Sequence, residues 1–244
     1  MRLALYGYGK MGRAIEAEAI ARGHEVALRV TGANAGTPPQ GVDAVIEFSR
    51  PDQALANMRL CLKMGVPVVV GTTGWHDKLP EVRALVDEYK GCLLWASNFS
   101  IGVNLFFRMN RQLAALMDKH AEYAARIDEV HHIHKLDAPS GTAITLANDI
   151  DLRTARNTGW ELVPHEQSSP DLILPHSPIR ITAERRGEVP GKHSVTWAGP
   201  NDRITITHEA FNRKGFALGA VVAAEWLIGR KGLFTMDDVL DMSA

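Results

Sequence analysis

A chain of 244 residues is long for one compact domain and short for two full ones, so one large or two small domains are both open. Its 45% hydrophobic and 23% charged residues are ordinary for a globular protein with a substantial core. With 27 basic against 28 acidic side chains the formal charge is −1, so no general field favours nucleic acid or an anionic membrane. Any charged ligand must therefore be met by a local cluster. The two cysteines, Cys61 and Cys92, lack metal-ligand spacing and read as buried free thiols, which suits a reducing cytosol. The N-terminus begins directly with a strand and no apolar run is long enough to span a bilayer, so a cytoplasmic location is expected, with neither membrane nor nucleic acid as partner.

The first strand, Arg2 to Tyr6, runs into Gly7-Tyr8-Gly9-Lys10-Met11-Gly12-Arg13. A helix is predicted next, with Ile15, Ala19 and Ile20 apolar and Gly23 as its stop. This is Gly-x-Gly-x-x-Gly in the strand–turn–helix context of a dinucleotide site. The first glycine permits the tight turn, the second lets a pyrophosphate approach the backbone, and the third lets helix and strand pack closely. Free amides at the helix start then face the phosphates. A merely structural turn is the bland alternative. The second strand, Glu25 to Val30, should end near the adenosine ribose, and there the chain offers Arg29 and no carboxylate. Either Arg29 pairs with a 2′-phosphate, favouring NADPH, or it is a solvated surface arginine.

Asp43 to Ser49 is a third predicted strand, followed by Arg50-Pro51 and a helix to about Met64. After Gly65, Val66 to Val70 is a continuous apolar run, as expected of a strand buried on both faces. It ends in Gly71-Thr72-Thr73-Gly74, a small-residue loop at a strand C-terminal end, where ligands sit in doubly wound sheets. A helix over 79–89 leads to the strand Cys92 to Ala96 and then Ser97-Asn98-Phe99-Ser100. Strands alternating with helices predict a Rossmann-type α/β domain with a parallel sheet covered on both faces, up to about residue 100.

Ile101 to about His120 reads as a long helix with Val103, Leu105, Phe106, Met109, Leu113 and Leu116 as core. A strand is expected over 126–134 and a helix over 141–150. The segment 152–178 reads as a long loop. Strands over 179–183, 193–197 and 203–210 complete an open mixed or antiparallel sheet, so the second domain is α+β. Its uncovered face would be economically hidden by subunit association. A helix from Phe216 to Gly229 should pack back on the first domain, and a short one is expected over 236–242. The expected domains are thus 1–100 plus 213–244 for the dinucleotide, and 101–212 for substrate and oligomerisation.

The richest stretch chemically is Glu129-Val130-His131-His132-Ile133-His134-Lys135-Leu136-Asp137-Ala138-Pro139-Ser140-Gly141-Thr142-Ala143. Strand alternation would point His131, Ile133 and Lys135 one way and His132 and His134 the other, unless the strand ends early and twists. Pro139 holds Ala138 extended and breaks the strand, and Ser140 is a good N-cap that leaves the amides of Gly141 and Thr142 free for an anion. Lysine, histidines and a helix N-terminus together suit a small carboxylate-bearing substrate. Histidine exchanges protons near neutral pH, with an unperturbed pKa of about 6.5. The bland alternative leaves His131 and His132 as ordinary strand residues. Zinc held by His131, His132, His134 and Asp137 is weak, because alternation splits the histidines between faces and no HExxH or CxxC pattern supports it, so no metal is expected.

That stretch closely resembles the signature of the dihydrodipicolinate reductase family. Tyr6 to Arg13, Gly71 to Gly74, Asn98 to Asn104 and Phe216 to Ala220 resemble the family's other motifs, in the same order along essentially the whole chain. The resemblance implies a reductase of 4-hydroxy-tetrahydrodipicolinate in the diaminopimelate route to lysine, with NADPH or NADH as cofactor. It implies His131 as proton donor, Lys135 as its partner, and His132, Gly141 and Thr142 as holders of the substrate carboxylates. The cofactor would lie on Gly7, Tyr8, Gly9, Lys10, Met11 and Gly12, on Gly71, Thr72 and Thr73, and on Ala96, Ser97, Asn98 and Phe99, with Arg29 at its phosphate end. A homotetramer joined through the second-domain sheets is implied too. The chain departs from the family at Arg29, where an acidic residue is usual, and in a short segment from Thr31 to Val42. The alternatives are another small-molecule reductase on the same cofactor domain, or a non-catalytic NAD(P)H sensor, which would not need His131 and Lys135.

Overall fold

The structure is a computed structural model that describes residues 1–155, 157–164, 177–212 and 214–241. It separates into two units, Met1–Ile101 with Lys214–Ala244, and Gly102–Arg213.

In the first unit, strands and helices alternate: β1 (Arg2–Tyr6), α1 (Lys10–Ala21), β2 (Glu25–Val30), β3 (Ala44–Glu47), α2 (Pro51–Lys63), β4 (Val68–Val70), α3 (Leu79–Glu88) and β5 (Cys92–Trp95). In the second, α4 (Ile101–Met117) precedes β6 (Ala124–His131), α5 (Gly141–Asp151), β7 (Trp160–Val163), β8 (Ile179–Arg185), β9 (Lys192–Ala198) and β10 (Arg203–Glu209). The chain then returns to the first unit as α6 (Lys214–Leu227), β11 (Gly232–Phe234) and α7 (Met236–Val239).

The first sheet has the order β11-β5-β4-β3-β1-β2, and every pairing in it is parallel. Its central strands are apolar on both faces because helices cover both: Leu3, Leu5, Ile46 and Leu94 pack with α1 and α6, and Ala4, Tyr6, Val45 and Val70 with α2 and α3. The small residues Ala217, Ala220, Ala223 and Ala224 of α6 are fully buried, and a Cβ on Gly219 would stand 1.7 Å from the Phe99 carbonyl oxygen. Arg22 and His24 each meet Glu225 of α6 at 2.7 Å and tie that helix to the end of α1. Both cysteines are free and buried, and burial raises both thiols, Cys92 to about 11.

The second sheet runs β10-β9-β6-β8-β7 and is mixed: β6 pairs in parallel with β8 and antiparallel with β9. One face, with Ile127, Ile181, Val195 and Trp197, packs under α4 and α5. The other carries Thr182 bonded to Asp128 at 2.8 Å and the cross-strand pairs Ser194–Thr207 and Thr196–Thr205.

Several expectations need correction. Leu105, Met109 and Leu116 are exposed (46%, 52% and 66%), because α4 buries one stripe, Val103, Asn104, Phe106, Phe107, Asn110, Ala114 and Met117. The segment 152–178 is not all loop: β7 forms in it as a four-residue edge strand parallel to β8, while 165–176 lies outside the described residues. β11 has three residues and owes its existence to pairing with β5. The strand expected over 126–134 runs from Ala124 to His131, and the last helix stops at Val239, with Met242 outside the described residues.

Candidate functional site

After β1 the chain turns sharply at Gly7, whose φ is +90° and whose Cβ, if present, would stand 2.1 Å from the Phe48 carbonyl oxygen. A Cβ on Gly12 would stand 2.3 Å from the Gly7 carbonyl oxygen, so its absence is what lets α1 start against the turn. Nothing lies within 4 Å of the position a Gly9 Cβ would take. Gly9 is the N-cap of α1 and has no side chain to cap the first amides there. Together these make a bare, donor-rich cradle that fits a pyrophosphate. It opens into a cleft of about 470 Å³ lined by Gly7, Tyr8, Gly9, Val30, Thr31, Gly32, Phe48, Ser49 and Asn57 among others.

The other strand ends meet around Phe48. A Gly71 Cβ would collide with the Phe48 ring at 2.1 Å, and that ring lies 5.6 Å from Phe99. Backbone bonds pin the loops in place: Gly7 to Val30, Phe48 to Tyr6, Gly71 to Glu47 and Ala96 to Val70, at 2.7 to 3.2 Å. Asn98 Oδ1 accepts from the Ser100 amide at 2.9 Å. Thr72 is buried and gives its carbonyl to Trp75 Nε1 at 2.6 Å, whereas Lys10, Thr73 and Ser97 are exposed. Gly7, Gly12, Gly71 and Phe99 are thus brought together through Phe48, a residue that no sequence motif singles out. Beneath it, Asn57 Nδ2 donates to the fully buried Glu47 at 3.2 Å and to Ser49 Oγ at 3.2 Å, and Ser49 also bonds Glu47.

Arg29 is exposed but paired. Its guanidinium bonds Glu16 of α1 and lies 5.7 Å over the Tyr8 ring, and the Tyr8 hydroxyl also donates to Glu16. The hydrogen bond from Arg29, then that from Tyr8, holds the Glu16 carboxyl below its ordinary range. The end of β2 therefore does have a carboxylate, supplied by the helix rather than by the strand.

In the second unit, β6 delivers Ile127, Glu129 and His131 to the helix-covered face. The strand stops at His131, so alternation does not govern His132 to Lys135. The Arg186 amide donates to the His131 carbonyl at 2.8 Å and the Lys135 amide to that of His132 at 3.1 Å, so 132–135 is a turn. His132 is half-buried, and His134 is exposed and faces Glu188 at 3.4 Å. Lys135 Nζ bonds both oxygens of Asp137, at 2.8 and 2.7 Å. The Ala138–Pro139 bond is cis. Ser140 caps α5 by accepting from the Ala143 amide at 3.2 Å. Among the described residues nothing accepts from the amides of Gly141 and Thr142, and a Gly141 Cβ would meet nothing within 4 Å.

Beneath His131 lies a buried carboxylate. Glu129 is 1% exposed. Both its oxygens accept from the Ser140 amide at 3.1 Å, and Oε1 also accepts from Arg185 Nη2 at 3.3 Å. His193 Nε2 lies 3.5 Å from Glu129 and 3.0 Å from Ser140 Oγ, and His131 Nδ1 lies 3.7 Å from Glu129. Burial alone would raise the Glu129 carboxyl, but bonds from His193 and Ser140 and the neighbouring histidines bring it down to about 2. His131 is pulled down to about 4, first by burial and then by His193, Lys135 and Arg185, against the upward pull of Glu129. A Cβ on Gly191 would stand 3.2 Å from His131 Nε2, so the glycine keeps that edge of the ring clear.

Glu129, His131 and His193 bring ligand atoms within 4.8 Å of one another. They are not the set weighed for zinc from the sequence, and the Ser140 amide and Arg185 already occupy the carboxylate. His193 and Arg185 are site residues that the sequence motifs do not include. Each lies in phase with the buried residues of its strand, His193 with Val195 and Trp197, and Arg185 with Ile179 and Ile181, and that phase is the one signal the sequence holds.

Comparison with known proteins matches residues 1–99 to the family described as dihydrodipicolinate reductase, N-terminus, and 102–240 to dihydrodipicolinate reductase, C-terminus. The chain belongs to the dihydrodipicolinate reductase family. It is 43% identical over 242 residues to a 4-hydroxy-tetrahydrodipicolinate reductase of Christiangramia forsetii, covering 98% of each chain. A 4-hydroxy-tetrahydrodipicolinate reductase of Magnetococcus marinus is 37% identical over 212 residues, 86% of this chain and 78% of that one. In fold it is similar to the dipicolinate-bound dihydrodipicolinate reductase of Paenisporosarcina sp. TG-14, with a TM-score of 0.73 at 23% identity over 96% and 97% of the two chains. A probable dehydrogenase of Thermotoga maritima shares the fold more loosely, at TM-score 0.57 and 10% identity over 99% of this chain and 93% of that one.

Proposed function

We propose that this chain converts 4-hydroxy-tetrahydrodipicolinate to tetrahydrodipicolinate with NADPH or NADH, in the diaminopimelate route to lysine; the 4-hydroxyl leaves as water to give conjugated dihydrodipicolinate, which takes a hydride and then a proton, and His131 gives that proton. Membership of the family over nearly the whole chain carries the activity; the burial and surroundings of His131 support its role. The nicotinamide cofactor, when bound, supplies the hydride. Gly7 to Gly12 would hold its pyrophosphate, with Gly71 to Thr73 and Ala96 to Phe99 closing round it from the neighbouring strand ends.

The rest of the chemistry is the work of the second unit. The Gly141 and Thr142 amides at the start of α5 donate to one substrate carboxylate, with His132 beside them. Lys135 leaves Asp137 to pair with substrate carboxylate. His131, neutral in the free protein because burial and nearby cations lower it to about 4, gains its proton as the dianionic substrate arrives, since an adjacent anion favours the charged imidazole. It then protonates the enamine carbon left by reduction, and Glu129 offsets the imidazolium charge from below. A proton delivered by a placed side chain is worth about two to four orders of magnitude in rate. His131→Gln should lose that much kcat while the Kd for NADPH stays near wild type. Full activity in that variant would overturn the assignment.

We also propose a homotetramer joined through the face of the second sheet that, among the described residues, no helix of its own unit covers, and a cytoplasmic location. Among the described residues no helix is long and apolar enough to cross a membrane. Sedimentation equilibrium should give four times the chain mass; a monomer would refute the assembly.

A further inference from the structure

We propose that Arg185 is a positioning residue that holds the Lys135 loop against the end of the His131 strand. The proposal rests on the reading of His131 and Lys135 given under the proposed function. Residues 132–139 belong to no helix or strand, so the place of Lys135 is not set by a ladder of its own. Arg185 sets it. It is the cross-strand neighbour of His131 in the parallel pairing of β6 with β8, which brings it to the same face.

Its guanidinium bonds four separate groups. Nε donates to the carbonyl of Lys135 at 3.2 Å, and Nη2 to the carbonyl of Asp137 at 2.6 Å. Nη2 also donates to Glu129 at 3.3 Å, and Nη1 to the carbonyl of Glu184 at 2.9 Å. The first two carbonyls flank Leu136, so the arginine grips the backbone just where the lysine leaves it. The third bond anchors the grip on a carboxylate that cannot itself move, because the Ser140 amide holds both its oxygens. One buried carboxylate thereby fixes the helix start that would bind one carboxylate and the loop that would bind the other. A planar fork with five donors can span such a set, whereas an ammonium takes fewer acceptors and without the fork's geometry.

Lysine at position 185 would keep the charge and lose the span, which separates grip from field. The charged and titratable groups around His131 are Glu129 on its own strand, His193 on β9, Arg185 on β8 and Lys135 in the loop. Removing a cation from that set moves the His131 titration upward, and replacing it with another cation does not.

The test is steady-state kinetics across pH for Arg185→Lys and Arg185→Ala beside wild type, His131→Gln and Lys135→Met, with Tm and NADPH affinity for each. Arg185→Lys should raise the KM for the dicarboxylate about ten- to a hundredfold, as expected for displacement of a binding group by an ångström or so. Its Tm and cofactor affinity should stay near wild type, and its pH profile should keep its position. Arg185→Ala should show the same rise in KM and a pH limb of kcat/KM moved to higher pH. A folded Arg185→Lys with KM within twofold of wild type would overturn the proposal, as would an unmoved limb in Arg185→Ala. An Arg185→Lys chain that fails to fold makes the residue structural and overturns it too. No turnover by wild type, or full activity in Lys135→Met, would instead sink the underlying reading of the site.

Discussion

At the turn after β1 the chain meets charge with bare backbone: Gly7, Gly9 and Gly12 leave out side chains so that amides and close packing remain. At the end of β6 it meets charge with side chains, and Glu129, His131, His193 and Arg185 come from three strands to a buried cluster. The two designs fail in opposite ways. A backbone cradle is damaged by added atoms and is indifferent to pH, because amides do not titrate. A side-chain cluster is damaged by deletion, and every member's charge state depends on the others.

The largest test of that contrast is the addition of one methyl group in the cradle. A Gly12→Ala Cβ would meet the Gly7 carbonyl oxygen at 2.3 Å, a backbone atom with little room to give. Overpacking of this kind costs about 1–3 kcal/mol, so NADPH affinity should fall about ten- to a hundredfold and Tm should fall with it. Gly9→Ala meets open space and should keep Tm while losing affinity, because its methyl occupies the approach of the pyrophosphate. Calorimetry and thermal melts on the two variants distinguish them. Wild-type NADPH affinity in Gly12→Ala would end the account of the turn.

The next effect belongs to the other site and depends on pH. His131 is lowered to about 4 in the free protein, and a bound dicarboxylate such as dipicolinate should raise it. Binding then takes up a proton wherever pH lies between the free and bound values. Affinity for dipicolinate should strengthen as pH falls from about 8 toward 5, by at most about tenfold per unit. Titration calorimetry in buffers of different ionisation enthalpy should find an uptake of up to about one proton, absent in His131→Gln. Zero uptake would remove the coupling between His131 and the carboxylates. Without ligand the sign is fixed by the same depression. A histidine lowered from 6.5 to about 4 lends stability above pH 6.5 that is lost as pH falls between those values. Glu129, lowered from 4.5 to about 2, adds a loss between those values.

The contrast also explains what could be read from sequence. The cradle is legible because its information is contiguous: three glycines at fixed spacing between a strand and a helix. The α5 cap is legible in Pro139-Ser140-Gly141 for the same reason. Glu16 is not, because its partnership with Arg29 is made by packing α1 on β2, across thirteen positions. Phe48 is not, because a ring that fills the space left by Gly71 has no local pattern. Strand alternation places His131 on a face, and Lys135 falls under the exception to the rule, since β6 ends at His131. His193 and Arg185 reach the cluster from positions 53 and 56 residues beyond Ser140 and Glu129, through strand register alone.

The smallest expected effect lies where the two designs mix, at the end of β2. Here a cradle is completed by side chains: Glu16, which could accept from the hydroxyls of an unmodified ribose, and Arg29, which could hold a 2′-phosphate. Each is presently satisfied by the other. A 2′-phosphate must draw Arg29 away from Glu16 and sit beside a carboxylate whose bonds to Arg29 and Tyr8 keep it ionised. Arg13, 5.8 Å over the same Tyr8 ring, adds a second cation on the phosphate's side of the balance. Glu16→Gln removes the repulsion and releases Arg29. Exposed ion pairs are worth about 0.2–1 kcal/mol, so the ratio of kcat/KM for NADPH over NADH should rise by a factor between about 1.4 and 5. Arg29→Glu should move that ratio the other way, and both shifts should shrink at high salt. A ratio unchanged in Glu16→Gln would mean that the pair lies outside the cofactor's reach. The preference between the two cofactors would then rest on backbone alone, as the rest of the cradle does.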